Sequence, residues 1–116
     1  MNWITLTSEK EVEELANSEE LSLIYKHSTR CMTSLMAFRN MKSGSEADYS
    51  IPFYIVDVIQ NRDISRFVAE KFNIRHESPQ VLIVKDGKCI FDTSHESIVL
   101  RDIVSKIKSF DKELSN

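Results

Sequence analysis

Cys31 and Ser34, in the run TRCMTS, are the residues whose types and spacing point to chemistry. A thiolate attacks disulfides, and a cysteine at the first turn of a helix is held as the anion by unpaired amide N–H groups and by the positive end of the helix dipole. Met32, Leu35, Met36 and Phe38 recur at helical offsets from Met32 to about Lys42, which puts Cys31 at such a helix start. Arg30 beside it, with Lys26 and His27 upstream, adds positive potential. Exchange through a mixed disulfide is resolved internally in a C-x-x-C protein by the second cysteine. Ser34 stands in that place here, so a captured group must pass to an external thiol, while the hydroxyl is a candidate hydrogen-bond partner for the thiolate. The plainer reading, a small apolar cysteine packed where a helix begins, is open on these residues alone.

The other cysteine, Cys89, follows a DG turn, far along a strand from the segment that precedes it. We expect a packed core or edge thiol there rather than a resolving partner. Two cysteines are too few for the framework of a small secreted domain. The three histidines, His27, His76 and His95, complete no tetrahedral set with them, so no metal is expected. Charge is mild and mixed, 15 basic against 18 acidic residues and a net of −3, without a basic block. Nucleic acid and anionic membranes are poor partners for such a surface. The N-terminus has no leader pattern and no apolar run long enough to span a bilayer, so the expected location is the cytoplasm.

The elements that must position these residues follow from periodicity. WITL reads as a short strand, and Ser8 with Glu11 forms a capping box that opens a helix with Val12, Leu15 and Ala16 inward. LSLIYKH and IPFYIVDV read as buried strands. NRDISRFVAEKF is a helix with Ile64, Phe67, Val68 and Phe72 inward. PQVLIVKDGKCIFD is two strands joined at Asp86-Gly87, and a last helix runs from about Glu96 to Leu114 with Val99, Ile103, Ile107 and Phe110 buried. The order β-α-β-α-β-α-β-β-α, over residues 1–116 as one domain, gives an α/β mixed sheet with helices on both faces. That is the order of the thioredoxin fold.

From IVDVIQNRDISRFVAEKFNIRHESPQVLIVKDGKCIFD the chain resembles thioredoxin-fold proteins, and its loop resembles that of the monothiol bacilliredoxins, the YtxJ-like proteins of the bacillithiol system, which reads approximately T-C-P-I-S. Cys31 and Ser34 match that loop, whereas Arg30 replaces its threonine and Met32 its proline. The resemblance implies that Pro79 is a cis-proline facing Cys31, that Ser78 offers its backbone to substrate, and that His76 borders the site. It names Arg30, Met32, Thr33 and Ser34 as the active-site loop around a catalytic Cys31. It implies bacillithiol as co-substrate with no bound cofactor, and bacillithiolated proteins as clients, with Arg30 or Arg75 as candidates to hold the malate carboxylates of bacillithiol. The expected activity is removal of bacillithiol from protein mixed disulfides. A thioredoxin-like adaptor that binds partners in the Cys31/Pro79 groove without turnover is the alternative. The chain lacks the glycines with which glutaredoxins receive glutathione, and Tyr25 stands where thioredoxins carry a buried acid.

Overall fold

A computed structural model describes residues 3–28, 51–95, 98 and 100–114. In chain order these form β1 (Trp3–Thr5), α1 (Glu9–Ala16), β2 (Ser22–His27), β3 (Phe53–Asp57), α2 (Arg62–Lys71), β4 (Gln80–Lys85), β5 (Lys88–Ser94) and α3 (Leu100–Leu114). The expected helix over 32–42 lies outside the described residues, as do Glu96 and Val99.

The five strands make one mixed sheet in the order β1-β3-β2-β4-β5. β1 and β2 both run parallel to β3, while β4 is antiparallel to β2 and β5 to β4. Strands joined through helices are thus parallel on one side of the sheet, and β4 reverses direction although a helix precedes it. The central strand β2 is buried along its whole length because both sheet faces are covered. Leu23 and Tyr25 join Phe53, Val81, Ile83, Ile103 and Ile107 in the core beneath α3. Ile24 joins Val12, Leu15, Val56, Ile64, Val68, Phe72 and Leu82 in the core beneath α1 and α2. This alternation follows from the two-residue period of a strand. It puts Lys26 on the face of Ile24, under α2.

Local chemistry sets the ends of these elements. Ser8 Oγ accepts from Glu11 N at 3.3 Å and caps α1, while the Glu11 carboxylate accepts from Thr7 N at 3.1 Å, which holds its pKa below the usual value. The DG turn has positive φ at both residues, 53° at Asp86 and 74° at Gly87, as a two-residue hairpin of this hand requires. A side chain at Gly87 would run into the carbonyl oxygen of Ala16, so this turn also packs on the end of α1. Gly87→Ala is therefore expected to destabilise the fold by ~2 kcal/mol or more, read as a lower urea midpoint.

Candidate active site

The described part of the site is built at one end of the sheet, where β2 finishes and β4 begins. Lys26 of β2 lies opposite Gln80 of β4. Both are buried, at 0% and 1% exposure, and both point to the α2 side. The Gln80 amide donates to Arg75 O at 3.0 Å and accepts from Glu77 N at 3.4 Å, so one side chain ties down the backbone on either side of His76. His76 itself is tied by its ring, with Nδ1 3.0 Å from Lys26 Nζ and 3.5 Å from Oγ of Ser65, a buried residue of α2. Buried polar groups persist where they find partners. Here those partners are the loop that leads into β4.

That loop ends in a cis peptide bond between Ser78 and Pro79, the conformer the sequence resemblance implied. Pro79 is buried, and its carbonyl accepts from His95 N at 3.0 Å. Ser78 Oγ is buried and has no hydrogen-bond partner among the described residues. His76, Ser78 and Pro79 are thus brought together. Arg30, Cys31, Met32, Thr33 and Ser34 lie outside the described residues.

Burial and charge set the proton affinities here. Enclosure pushes the Lys26 ammonium down to about 8. Burial, and then the positive charges of Lys26, Arg66 and Arg62, lower the pKa of His76 against the opposing pull of Glu77, which favours the neutral imidazole. His27, at the end of β2, is also lowered by burial, against the pull of Asp57 on β3. Among the described residues no cluster of His, Cys, Asp or Glu could hold a metal ion.

Cys89 lies half-buried on the edge strand β5, opposite Val84, with its Sγ donating to Phe91 O at 3.3 Å. Burial is the main cause that lifts its thiol to about 11, and Asp92 adds to it. Val84 is five positions along the strand from Pro79, on the order of 17 Å. The expected packed edge thiol is what the structure contains, and it is a poor nucleophile.

Sequence reading missed the burial of Lys26, Gln80 and Ser65. The available signal was a lysine inside the apolar run LSLIYKH, which the reading took only as a source of positive potential near Cys31.

Comparison with known proteins agrees with this geometry. The family model of the monothiol bacilliredoxins, "Monothiol bacilliredoxin BrxC", matches residues 4–103. The chain belongs to the monothiol bacilliredoxin family. A solved structure described as a candidate oxidoreductase with a thioredoxin fold is 28% identical, covering 89% of this chain and 91% of that one, with a TM-score of 0.77. Reduced thioredoxin pre-protein of Schistosoma mansoni is 23% identical, covering 95% and 99% at a TM-score of 0.72. A Malassezia sympodialis thioredoxin is 18% identical, covering 93% and 90% at 0.71. The last two likenesses concern the fold. Membership of the bacilliredoxins makes this a redox protein of the thiol-oxidoreductase kind, with bacillithiol as its related small thiol. Among the described residues no helix is long and apolar enough to cross a membrane.

Proposed function

We propose that this bacilliredoxin removes bacillithiol from protein mixed disulfides through Cys31 alone, in a reducing compartment such as the cytoplasm. The observation that carries the reading is the family match over residues 4–103, which spans a chain with a single cysteine in the matched loop and its only other cysteine half-buried beside the DG turn, at the far end of β4 from Pro79. Cys31 follows Ser28, the residue after β2, by three positions, a span of at most roughly 11 Å. In this reading Cys31 acts at the end of the sheet where β2 finishes and β4 starts at the cis Ser78–Pro79 bond.

In the proposed cycle the Cys31 thiolate attacks the bacillithiol sulfur of a client disulfide. The client sulfur leaves as a thiolate and takes a proton from water, and Cys31 holds bacillithiol as a mixed disulfide. A second bacillithiol thiolate attacks the held bacillithiol sulfur, which frees Cys31 as thiolate and forms bacillithiol disulfide. The client sulfur leaves with the electron pair of the broken S–S bond, and the second bacillithiol thiolate, the reductant, supplies the pair that forms the new S–S bond of bacillithiol disulfide. Ser34 hydrogen-bonds to the Cys31 thiolate and cannot divert the intermediate. Arg30, Met32 and Thr33 shape the loop, and Ser78, Pro79 and His76 line the substrate groove.

Intact-mass analysis after incubation with a bacillithiolated model protein tests this. One bacillithiol is expected on Cys31, with the client returned to its free thiol. The Cys89→Ala variant should do the same at the wild-type rate. An adduct on Cys89, or client reduction without any adduct in the chain, would overturn the reading.

A further inference from the structure

Lys26 is a lysine with no carboxylate to answer it among the described residues. It is 0% exposed, and its one hydrogen-bond partner among the described residues is Nδ1 of His76 at 3.0 Å. An ammonium group has only donors, so with Lys26 charged the imidazole must accept at Nδ1, and a neutral ring then carries its proton at Nε2. Ser65 Oγ, 3.5 Å from the same nitrogen, adds a second donor. Among the described residues the charges that act on this ring are Lys26 of β2 and Arg66 and Arg62 of α2, which oppose its protonation, and Glu77 of its own loop, which favours it. His76 is otherwise exposed. Two residues further on is the Ser78–Pro79 bond.

We propose that Lys26 is a positioning residue for thiol exchange: by donating from its buried ammonium to Nδ1 of His76 it locks that ring in the Nε2–H form, so the groove beside Pro79 presents a neutral hydrogen-bond donor to an oxygen of the substrate. This role rests on the exchange activity proposed above. It explains why a charge is kept under α2, beside the aliphatic core that Ile24, Val56 and Leu82 form there. Gln80 fixes the backbone of the loop by separate bonds, so losing the Lys26 bond releases the ring while the chain path remains.

Histidine side-chain nitrogen NMR on the full chain reads the tautomer without reference to activity. In the wild type His76 is expected as the Nε2–H form. In Lys26→Met, which keeps the side-chain length and removes the donor, both tautomers should appear and the ring should titrate at higher pH, because the repelling ammonium is gone. Exchange with a bacillithiolated protein should lose roughly tenfold in kcat/KM, mainly through KM, since a groove donor acts on binding. His76→Leu, which removes the ring itself, should lose a similar factor. His76→Gln, which restores an acceptor for Lys26 and a donor for substrate, should recover most of it.

An unchanged His76 tautomer in Lys26→Met, or wild-type KM in His76→Leu, sinks the role of Lys26 while leaving Cys31-dependent exchange standing. A wild-type chain with no exchange activity sinks both.

Discussion

Cys31→Ser is expected to lower the rate of bacillithiol removal at least ~1,000-fold, down to the uncatalysed exchange between client and free bacillithiol. The reason is chemical. A serine hydroxyl is not ionised near neutral pH and does not attack disulfide sulfur, so the variant loses the nucleophile itself, and removing a nucleophile outright costs far more than disturbing its surroundings. Cys89 offers no rescue. With its thiol raised to about 11, only ~1 in 10,000 of its molecules is thiolate at pH 7, and it stands at the opposite end of β4 from Pro79. The measurement is initial rate against a bacillithiolated protein at fixed bacillithiol, for the wild type, Cys31→Ser and Cys89→Ala in parallel. Cys31→Ser within tenfold of the wild type would mean that the activity, if present, uses another group, and the monothiol cycle would have to be abandoned.

The character of Cys89 was readable in the sequence, because it depends on local and covalent signals. Cys89 follows a DG turn whose two residues take the positive φ values such a hairpin needs, and strand rise alone separates it from Pro79. The capping box at Ser8 and Glu11 was equally local. So were the inward stripes of α2, where Ile64, Val68 and Phe72 are buried and Phe67 half-buried. The antiparallel course of β4 was not readable from the helix before it, since direction is set by which strand it pairs with. The cis state of Ser78–Pro79 entered only through family resemblance, because a proline in a loop is compatible with both isomers.

Lys26 was the least legible residue of the site. A strand buried on both faces loses the polar–apolar alternation that tells inside from outside, and all six residues of β2 are buried. A lysine near the end of such a run reads as one whose head escapes to solvent, as long amphipathic side chains usually do. Whether it escapes depends on α2 and the 75–79 loop, which come from about forty to fifty residues further along the chain and close over it. Gln80 and Ser65 were hidden for the same reason: their meaning lies in the cross-strand pairing with Lys26 and in the packing of α2.

That enclosure has an energetic consequence, and Lys26→Met exposes it. The unfolded chain holds this amine near its ordinary 10.5, and the fold lowers it to about 8. Keeping the ammonium charged in the fold at pH 7 therefore costs about 3 kcal/mol relative to the unfolded chain. Between pH 8 and 10.5 the unfolded state binds more protons at this site than the native state does, so the contribution of Lys26 to stability rises with pH through that window and is flat below it. Methionine matches the length of the aliphatic stem, has no proton to bind, and faces Ile24 and the α2 core. Against the gain stands one lost hydrogen bond to His76, worth about 1–2 kcal/mol and partly replaced by water at that exposed ring. Lys26→Met is accordingly expected to be more stable than the wild type by about 1–3 kcal/mol at pH 7, an advantage that shrinks as pH is raised from 8 towards 10.5. Urea unfolding at pH 7, 8.5 and 10 measures it, and comparing the two chains cancels the opposite drift from Cys89, whose raised thiol pKa makes the fold lose stability above about pH 9 in both. A variant less stable at pH 7, by an amount that does not change with pH, would show that the ammonium is well solvated in the fold. If the gain appears together with the loss of substrate affinity expected for the same variant, the buried charge is kept for what it does to His76 and not for what it does for the fold.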